Sequence, residues 1–401
     1  MRMLLRIAGV VLSVAVLGAE DAQKLETGKV DPGRVLLEPY SYWSQPYSYY
    51  YMHNMDKVGG LRIDWVRKSG KPFPLGKSAA VVQPAYTVNG QTYALDDYLA
   101  KGDVNAFVVL KDGQLVYERY LHGADPASRF ISFSVGKSVT SVLFGIAVDE
   151  GRIPNVEDPV SKHLPELKGT AYDGVSIRNA LQMATGVRYD EQYLEPASDI
   201  HNLLRALLRG DRSFLSLAAE YGKREPERKP GTKFDYQSID TQVLAEILER
   251  RTGMGMAKYA EDRLWKKLGA ESDAFLFESK KQKSTCGFAC FNATARDYAR
   301  FALMAMNRGE LGGTRIVSDK WMRDSTTPPA YADNYGYQWW MNVGSPDGAF
   351  RAVGIYGQTL YVNPVKKVVI AQFSSRPKPG GAPNPALPPV PFDAIAAQLA
   401  K

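Results

Sequence analysis

The stretch FISFSVGKSVTSVLFGIAVDEGRI, residues 130–153, matches two different functional motifs. Its VGKS segment resembles the end of a phosphate-binding loop, whereas its SVGK segment places a serine three residues before a lysine. A phosphate-binding loop needs a glycine five residues before its second glycine, because backbone N–H groups must wrap the phosphates. Ile131 stands at that position, between bulky Phe130 and Phe133. The phosphate-binding interpretation therefore fails.

The serine interpretation has a chemical mechanism. Ser134 and Lys137 share one face if this stretch is a helix, because residues three apart are neighbours there. A serine hydroxyl is a poor nucleophile until a base removes its proton, and lysine is such a base only when burial lowers its pKa from about 10.4. The apolar flanks predict that burial. The alternative is a helix start with a solvated lysine, and S-x-x-K also occurs at Ser375–Lys378, where Pro377 opposes a helix.

Composition describes an ordinary globular protein of 401 residues with a net charge of +7 and 45% hydrophobic residues. Basic residues are scattered among acidic ones, so we expect no nucleic-acid partner. Residues 1–22 combine a positive start with a short apolar run, which predicts a secretory signal peptide, with an uncleaved signal anchor as the alternative. We therefore expect a periplasmic or secreted protein without stable membrane insertion after cleavage.

The two cysteines, Cys286 and Cys290, are compatible either with a short-loop disulfide or with two buried thiols. They lack the neighbouring histidines that a zinc site needs, and no histidine pair has ligand spacing. We expect no metal and no cofactor. The absence of G-x-S-x-G also argues against an α/β-hydrolase.

The order of predicted elements indicates an α+β fold. A tyrosine-rich segment, 36–56, suggests an extended arm, placed within an N-terminal arm of 23–79 that precedes a hydrolase domain of 80–401. Helical periodicity starts at Ser138 and ends at Gly151, and it recurs in three further segments: 176–184, 238–250 and 294–307. Strands are predicted near both ends: 104–110, 115–120, and within AFRAVGI, TLYVNP and KKVVIAQFSS. We expect both ends to share one sheet, with a mainly helical subdomain inserted at roughly 150–320.

Two further segments bear on the serine. Tyr236 precedes an amphipathic helix, where a phenol can pass protons between nucleophile, base and leaving group. Residues 352–364, AVGIYGQTLYVNP, are predicted as an edge strand whose Gly354 and Gly357 allow close backbone approach and an N–H donor to an oxyanion. Taken singly, the tyrosine also fits a core position and the glycines a bulge.

In this order, FSVGKS, FDYQSIDTQVL and the GIYG segment resemble the S-x-x-K, Y-x-N/S and K-T-G motifs of the serine β-lactamase and penicillin-binding superfamily. The likeness is greater to its class C-related branch, the family VIII carboxylesterases and 6-aminohexanoate-dimer hydrolases, and extends from about residue 50 to the C-terminus. It implies a β-lactamase/transpeptidase-like fold, in which helices flank an antiparallel sheet, and a serine hydrolase that works through an acyl-enzyme.

The resemblance also implies roles for single residues. Ser134 would be the nucleophile, Lys137 its base and Tyr236 the proton relay, while the backbone N–H groups of Ser134 and Ile355 would form the oxyanion hole. The implied substrate-binding residues are Ser238, Tyr356, Gly357, Asp190, Glu191, Tyr193 and Asp199. Part of this set belongs to YDEQYLEPASD, an acidic segment that either holds a substrate amine or is a solvated loop.

The third motif departs from the β-lactamase pattern because GIYG contains no cation. This favours a small-molecule ester or linear amide as the substrate, one that is amine-bearing or uncharged, over a β-lactam. The alternatives are a β-lactamase, a D-Ala-D-Ala peptidase, or a non-catalytic penicillin-binding sensor.

Overall fold

The computed structural model describes residues 47–58, 61–221, 227–279, 282–332, 334–342, 345, 347–380 and 387–401. The predicted signal peptide and the first part of the predicted arm lie outside these residues. Among them, the helices are α1 (Tyr47–Tyr51), α2 (Leu95–Lys101), α3 (Val135–Asp149), α4 (Val160–His163), α5 (Ile177–Leu181), α6 (Asp199–Arg209), α7 (Phe214–Glu220), α8 (Ser238–Thr252), α9 (Met256–Ala260), α10 (Ala295–Met306), α11 (Asp319–Ser325) and α12 (Phe392–Leu399). None of these helices is long and apolar enough to cross a membrane.

The strands of the same residues are β1 (Arg62–Val66), β2 (Ala85–Val88), β3 (Gln91–Ala94), β4 (Val104–Lys111), β5 (Gln114–Tyr120), β6 (Arg129–Ile131), β7 (Ala274–Glu278), β8 (Asn292–Thr294), β9 (Glu310–Leu311), β10 (Thr314–Arg315), β11 (Trp340–Met341), β12 (Phe350–Val353), β13 (Thr359–Asn363) and β14 (Val368–Ser374). Short 3-10 turns cover Met55–Lys57 and Pro165–Leu167, and a π-helical turn covers Glu261–Trp265.

The larger sheet has six strands in the order β11-β12-β13-β14-β4-β5, with every neighbouring pair antiparallel. Strand β14 from the C-terminal end pairs with β4, so the prediction that both ends share one sheet is confirmed. Side chains of β4 alternate between two cores, with Val108 and Leu110 in one and Phe107 and Val109 in the other. This period of two is what a strand buried on both faces requires.

The helical part packs α3 against α8, and a second sheet lies beside it in the order β1-β7-β8-β6. The sequence did not predict this sheet, because β1 pairs with β7 across more than two hundred residues of chain. Its last strand, β6, ends at Ile131 and leads directly to the start of α3. The second sheet therefore fixes where the serine of the opening motif lies.

The tyrosine-rich segment differs from the extended arm that we expected. Its described part begins with helix α1, whose Tyr50 and Tyr51 are buried in the main core and touch edge to face with ring centres 5.2 Å apart. Met55 and Val58 follow them into the same core. In its described part, the segment is therefore buried apolar structure rather than an extended arm.

Candidate active site

Ser134 occupies the N-cap of α3 and is 9% exposed. The chain reaches it through Phe133, which has a left-handed φ of 41°. A bulky residue rarely adopts this conformation, and such strain concentrates at functional sites. The ring of Phe133 packs on that of Tyr356 with centroids 5.0 Å apart. Packing thus holds the turn that directs the serine into the cleft.

Lys137 follows one helical turn later and is 1% exposed, which excludes the solvated-lysine alternative. Its Nζ donates hydrogen bonds to Ser134 Oγ at 3.0 Å, to Ser238 Oγ at 2.9 Å and to the Phe288 carbonyl at 3.0 Å. Burial lowers the pKa of Lys137 to about 8, against the opposing charge of Glu191. A substantial fraction of this amine is therefore neutral near pH 7–8 and able to accept a proton.

Tyr236 lies two residues before α8, and its phenol interacts with the Ser134 side chain, which lines the same cleft. Burial raises the pKa of Tyr236 well above its usual value, and the negative charge of Glu191 adds to the shift. Its ring stacks on Trp340, with centroids 5.5 Å apart, and lies 5.1 Å from Lys137 Nζ. The structure thus brings the serine, the lysine and a protonated phenol together.

Glu191 is connected to the lysine through Ser238. Its carboxylate accepts hydrogen bonds from the Ser238 backbone N–H at 2.9 Å, from Ser238 Oγ at 2.5 Å and from the Tyr193 hydroxyl at 2.8 Å. Two other acidic residues of this segment serve the loop itself, since Asp199 accepts from the Asp190 backbone N–H at 2.8 Å. Of the predicted substrate-binding residues in this segment, Glu191 and Tyr193 thus belong to the network around Lys137.

The segment 352–364 is not the single edge strand that we predicted. Strand β12 ends at Val353, a tight turn follows, and β13 begins at Thr359. Gln358 holds the turn, because its side chain accepts from the Tyr356 N–H at 3.0 Å and its backbone carbonyl accepts from the Gly354 N–H at 2.8 Å. Two glycines in close succession favour a turn over a continuous strand, as the bulge alternative already indicated.

The turn presses against the residues before the serine. A Cβ atom added at Gly354 would lie 2.8 Å from the Ser132 carbonyl, so only glycine permits this approach. Ile355 and Ser134 line the same cleft, and within the described chain neither backbone N–H donates to a protein acceptor. Two such donors beside a nucleophile are the arrangement of an oxyanion hole.

The sequence did not predict the part played by the segment CGFAC. Cys286 and Cys290 form a disulfide, so the thiol alternative is excluded, and the loop that it closes contains Phe288, whose carbonyl accepts from Lys137. Thr140 of α3 donates to the Gly287 carbonyl at 2.6 Å, which ties the loop to the helix that carries Lys137. The close spacing of the cysteines was the one available signal. Among the described residues, no group of three or more potential metal ligands lies together.

Comparison with known proteins identifies the family. The beta-lactamase family model matches residues 98–387, which is most of the chain. The chain belongs to the beta-lactamase family. By this membership it is a hydrolase of the serine type, and the β-lactamase-like fold predicted from the motifs is confirmed.

Within the beta-lactamase family, the chain is 33% identical over 302 residues to the 6-aminohexanoate-dimer hydrolase of Paenarthrobacter ureafaciens, a match that covers 71% of this chain and 76% of that protein. A solved Bacillus anthracis structure, described as a candidate 6-aminohexanoate-dimer hydrolase, superposes with a TM-score of 0.76 at 26% identity and covers 89% of this chain and 94% of that one. A family VIII carboxylesterase shares the fold, with a TM-score of 0.57 at 17% identity over 76% of this chain and 95% of that one.

Proposed function

We propose that this protein hydrolyses esters or linear amides through an acyl-enzyme formed on Ser134. The observation that carries the proposal is the buried amine of Lys137, with its lowered pKa, 3.0 Å from Ser134 Oγ. Similarity to a 6-aminohexanoate-dimer hydrolase supports the linear amide, and the absence of a cation in GIYG argues against an efficient β-lactamase.

The geometry supports a reaction in two stages, acylation of Ser134 and hydrolysis of the acyl-enzyme. Neutral Lys137 takes the Ser134 proton as Oγ bonds to the substrate carbonyl carbon, and the N–H groups of Ser134 and Ile355 stabilise the resulting oxyanion. Tyr236 then donates its proton to the departing alcohol or amine and regains one from the lysine. In the second stage, water loses a proton to Lys137 as it attacks the acyl carbon. The acyl–Oγ bond then breaks, the acid leaves, and Ser134 Oγ takes the proton back from the lysine.

The proposal is tested by mixing the protein with p-nitrophenyl acetate or butyrate and measuring both the steady-state rate and the intact mass. We expect turnover and a mass increase of one acyl group, both lost in Ser134→Ala. Ser128→Ala, which changes a partly exposed serine that does not line the cleft, is the matched control and should behave as wild type. A single burst without turnover would indicate the non-catalytic binder, and a fully active Ser134→Ala would refute the nucleophile.

Nitrocefin and a D-Ala-D-Ala peptide belong in the same assay, because they represent the rival reactions of this fold. We expect both to be poorer substrates than the p-nitrophenyl esters. Hydrolysis of either with a higher kcat/KM than the esters would replace the proposed substrate class while leaving Ser134 as nucleophile.

We also propose that the protein is exported. The charge and hydrophobic pattern of residues 1–22 supports a signal peptide, and the Cys286–Cys290 disulfide is typical of an oxidising compartment. Fractionation of cells that express the full chain, with N-terminal sequencing of the mature protein, tests this proposal. Recovery of full-length protein in the cytoplasm would contradict it.

A further inference from the structure

Two cavities of different chemical character meet at Ser134. One is a narrow apolar pocket with a volume of about 70 Å³, and the other is a wider cleft of about 590 Å³. Ser134, Tyr193 and Ile355 line both of them. A carbonyl carbon attacked by Ser134 must sit at this junction, so one cavity receives the acyl group and the other receives the leaving group.

The position of the proton donor distinguishes the two cavities. Tyr236 lines the wide cleft, whereas Ser238 lines the apolar pocket. Because Tyr236 is the proposed donor to the departing alcohol or amine, the leaving group must occupy the wide cleft. The acyl group then occupies the apolar pocket.

The acyl side offers almost no polar surface. The pocket walls come from helix α6, from the disulfide-closed loop and from the segment after α1, and include Leu204, Leu207, Phe288, Ala289, Met55 and Val58. No Asp, Glu, Lys or Arg is among the described residues that line it. An alkyl or aryl acyl chain gains free energy there, whereas an ammonium group would lose its hydration and find no carboxylate among the described lining residues, since Glu191 is engaged by Ser238 and Tyr193 behind them.

The leaving-group side contains two arginines. Arg351 lies on β12 directly opposite Trp340, and Arg376 packs on the GIYG turn, where its backbone N–H donates to the Tyr356 carbonyl at 3.3 Å. Arg376 Nε would lie 2.8 Å from a Cβ added at Gly357. Both arginines therefore lie beside the GIYG turn in space, although GIYG itself contains no cation.

Among the residues that the structure describes, neither guanidinium group has an anionic partner. The Nε atoms of Arg351 and Arg376 are buried and make no hydrogen bond, and neither side chain forms an ion pair within the described chain. Among the described residues, no carboxylate lines this cleft, and the Tyr98 hydroxyl is a polar neighbour of Arg376. Two cations that form no ion pair with any described carboxylate favour binding of an anion in the cleft.

We propose that the substrate is an ester or amide that joins an apolar acyl chain to an anionic leaving group, with the anion held by Arg351 and Arg376. An O-acylated hydroxy acid and an N-acylated amino acid both have this layout. The inference rests on the proposed acyl-enzyme at Ser134. It replaces the amine-bearing or uncharged substrate that the sequence favoured.

The leaving-group half is tested with hexanoyl esters of glycolic acid and of glycolamide, which differ in one carboxylate, by chromatographic measurement of released hexanoate. We expect kcat/KM to be at least tenfold higher for the acid than for the amide. Arg351→Gln and Arg376→Gln should each lower this ratio about tenfold or more, since a hydrogen bond to a charged group has that effect. Arg119→Gln, an exposed arginine on the distant strand β5, is the matched control and should keep the ratio.

The acyl half is tested with acetyl, butanoyl, hexanoyl and 6-aminohexanoyl esters of glycolic acid. We expect kcat/KM to rise about threefold to fourfold for each added methylene and to fall at least a hundredfold from hexanoyl to 6-aminohexanoyl. Leu204→Asp should reverse the second preference by supplying a counter-charge.

The outcomes separate this inference from the proposed function. The inference is overturned if kcat/KM is the same for the glycolic acid and glycolamide esters, or if neither arginine variant changes the ratio of the two values. The proposed acyl-enzyme still stands in that case if Ser134→Ala has lost turnover. An active Ser134→Ala overturns both. Thermal unfolding checks that the variants fold. Arg376→Lys retains the positive charge and should therefore keep most of the ratio of kcat/KM between the acid and the amide.

Discussion

Replacing Glu191 by glutamine should shift the pH dependence of catalysis to lower pH. Ser238 Oγ lies 2.9 Å from Lys137 Nζ and 2.5 Å from Glu191 Oε1, so the two charged groups are no more than about 5.4 Å apart. At an effective dielectric constant of about 20, unit charges at that distance interact by about 3 kcal/mol, which equals about two pKa units. Glu191 opposes the effect of burial on the pKa of Lys137, which stands at about 8. Without the carboxylate, burial alone should take it to about 6.

The assay is kcat/KM for p-nitrophenyl butyrate between about pH 5 and 10 in the wild type and in Glu191→Gln. Because only the neutral amine accepts the serine proton, the wild-type rate should rise with pH and level off above about 8. The midpoint of the variant should lie about two units lower. Glu195→Gln removes an exposed charge from the same loop and should leave the midpoint in place. A Glu191→Gln midpoint that stays near the wild-type value, or rises, would refute the coupling of this carboxylate to the base.

Three further variants test other parts of the structure. Lys137→Met should abolish turnover but raise the thermal midpoint at pH 7. The pKa of Lys137 is about 8 in the folded protein and 10.5 in the unfolded chain, so holding the protonated amine in the fold costs about 3 kcal/mol at a pH below both values. The gain in thermal midpoint over wild type should therefore shrink as pH rises from 8 to 10.5, and an equal gain at pH 7 and pH 10.5 would contradict this reasoning. Reduction of the Cys286–Cys290 disulfide and the double variant Cys286→Ser/Cys290→Ser should each lower kcat severalfold relative to the oxidised wild type, because the loop whose carbonyl accepts from Lys137 is released. Unchanged kcat in both would show that the loop keeps its position without the disulfide. Gly145→Ala should destabilise the fold by about 1–3 kcal/mol in denaturant titration, because the added Cβ would lie 2.4 Å from the Trp321 ring; an unchanged midpoint would mean that the ring moves aside freely.

Local patterns in the sequence predicted the elements that local chemistry determines. The helix that carries Ser134 and Lys137, and the loop that presents Tyr236 before α8, follow from short-range periodicity and motif spacing. Boundaries were close as well, since the helix predicted over 294–307 is observed as Ala295–Met306. The proposed catalytic trio, Ser134, Lys137 and Tyr236, was recognisable because each member lies in a short motif in a fixed order.

Features built by long-range contacts were not predictable in the same way. The pairing of β1 with β7 and the carbonyl of Phe288 beside Lys137 join segments far apart in the chain. Neither cleft arginine belongs to the three motifs that carry the resemblance, and Arg376 reaches the GIYG turn only because it follows β14, which pairs with β13 after the turn. A motif that lacks a cation therefore does not imply a cleft that lacks one, because charge is a property of the cavity rather than of a segment.

The acyl pocket and the catalytic base share their walls, so substrate choice and base strength are linked. Phe288 lines the apolar pocket, while its carbonyl lies 3.0 Å and its ring centre 5.6 Å from Lys137 Nζ. The same apolar surface that favours a hydrocarbon chain keeps water from the amine and lowers its pKa. An acyl chain that fills the pocket excludes still more water. The neutral form of the lysine should therefore be favoured most when the preferred substrate is bound, which would place the midpoint of kcat at lower pH than that of kcat/KM.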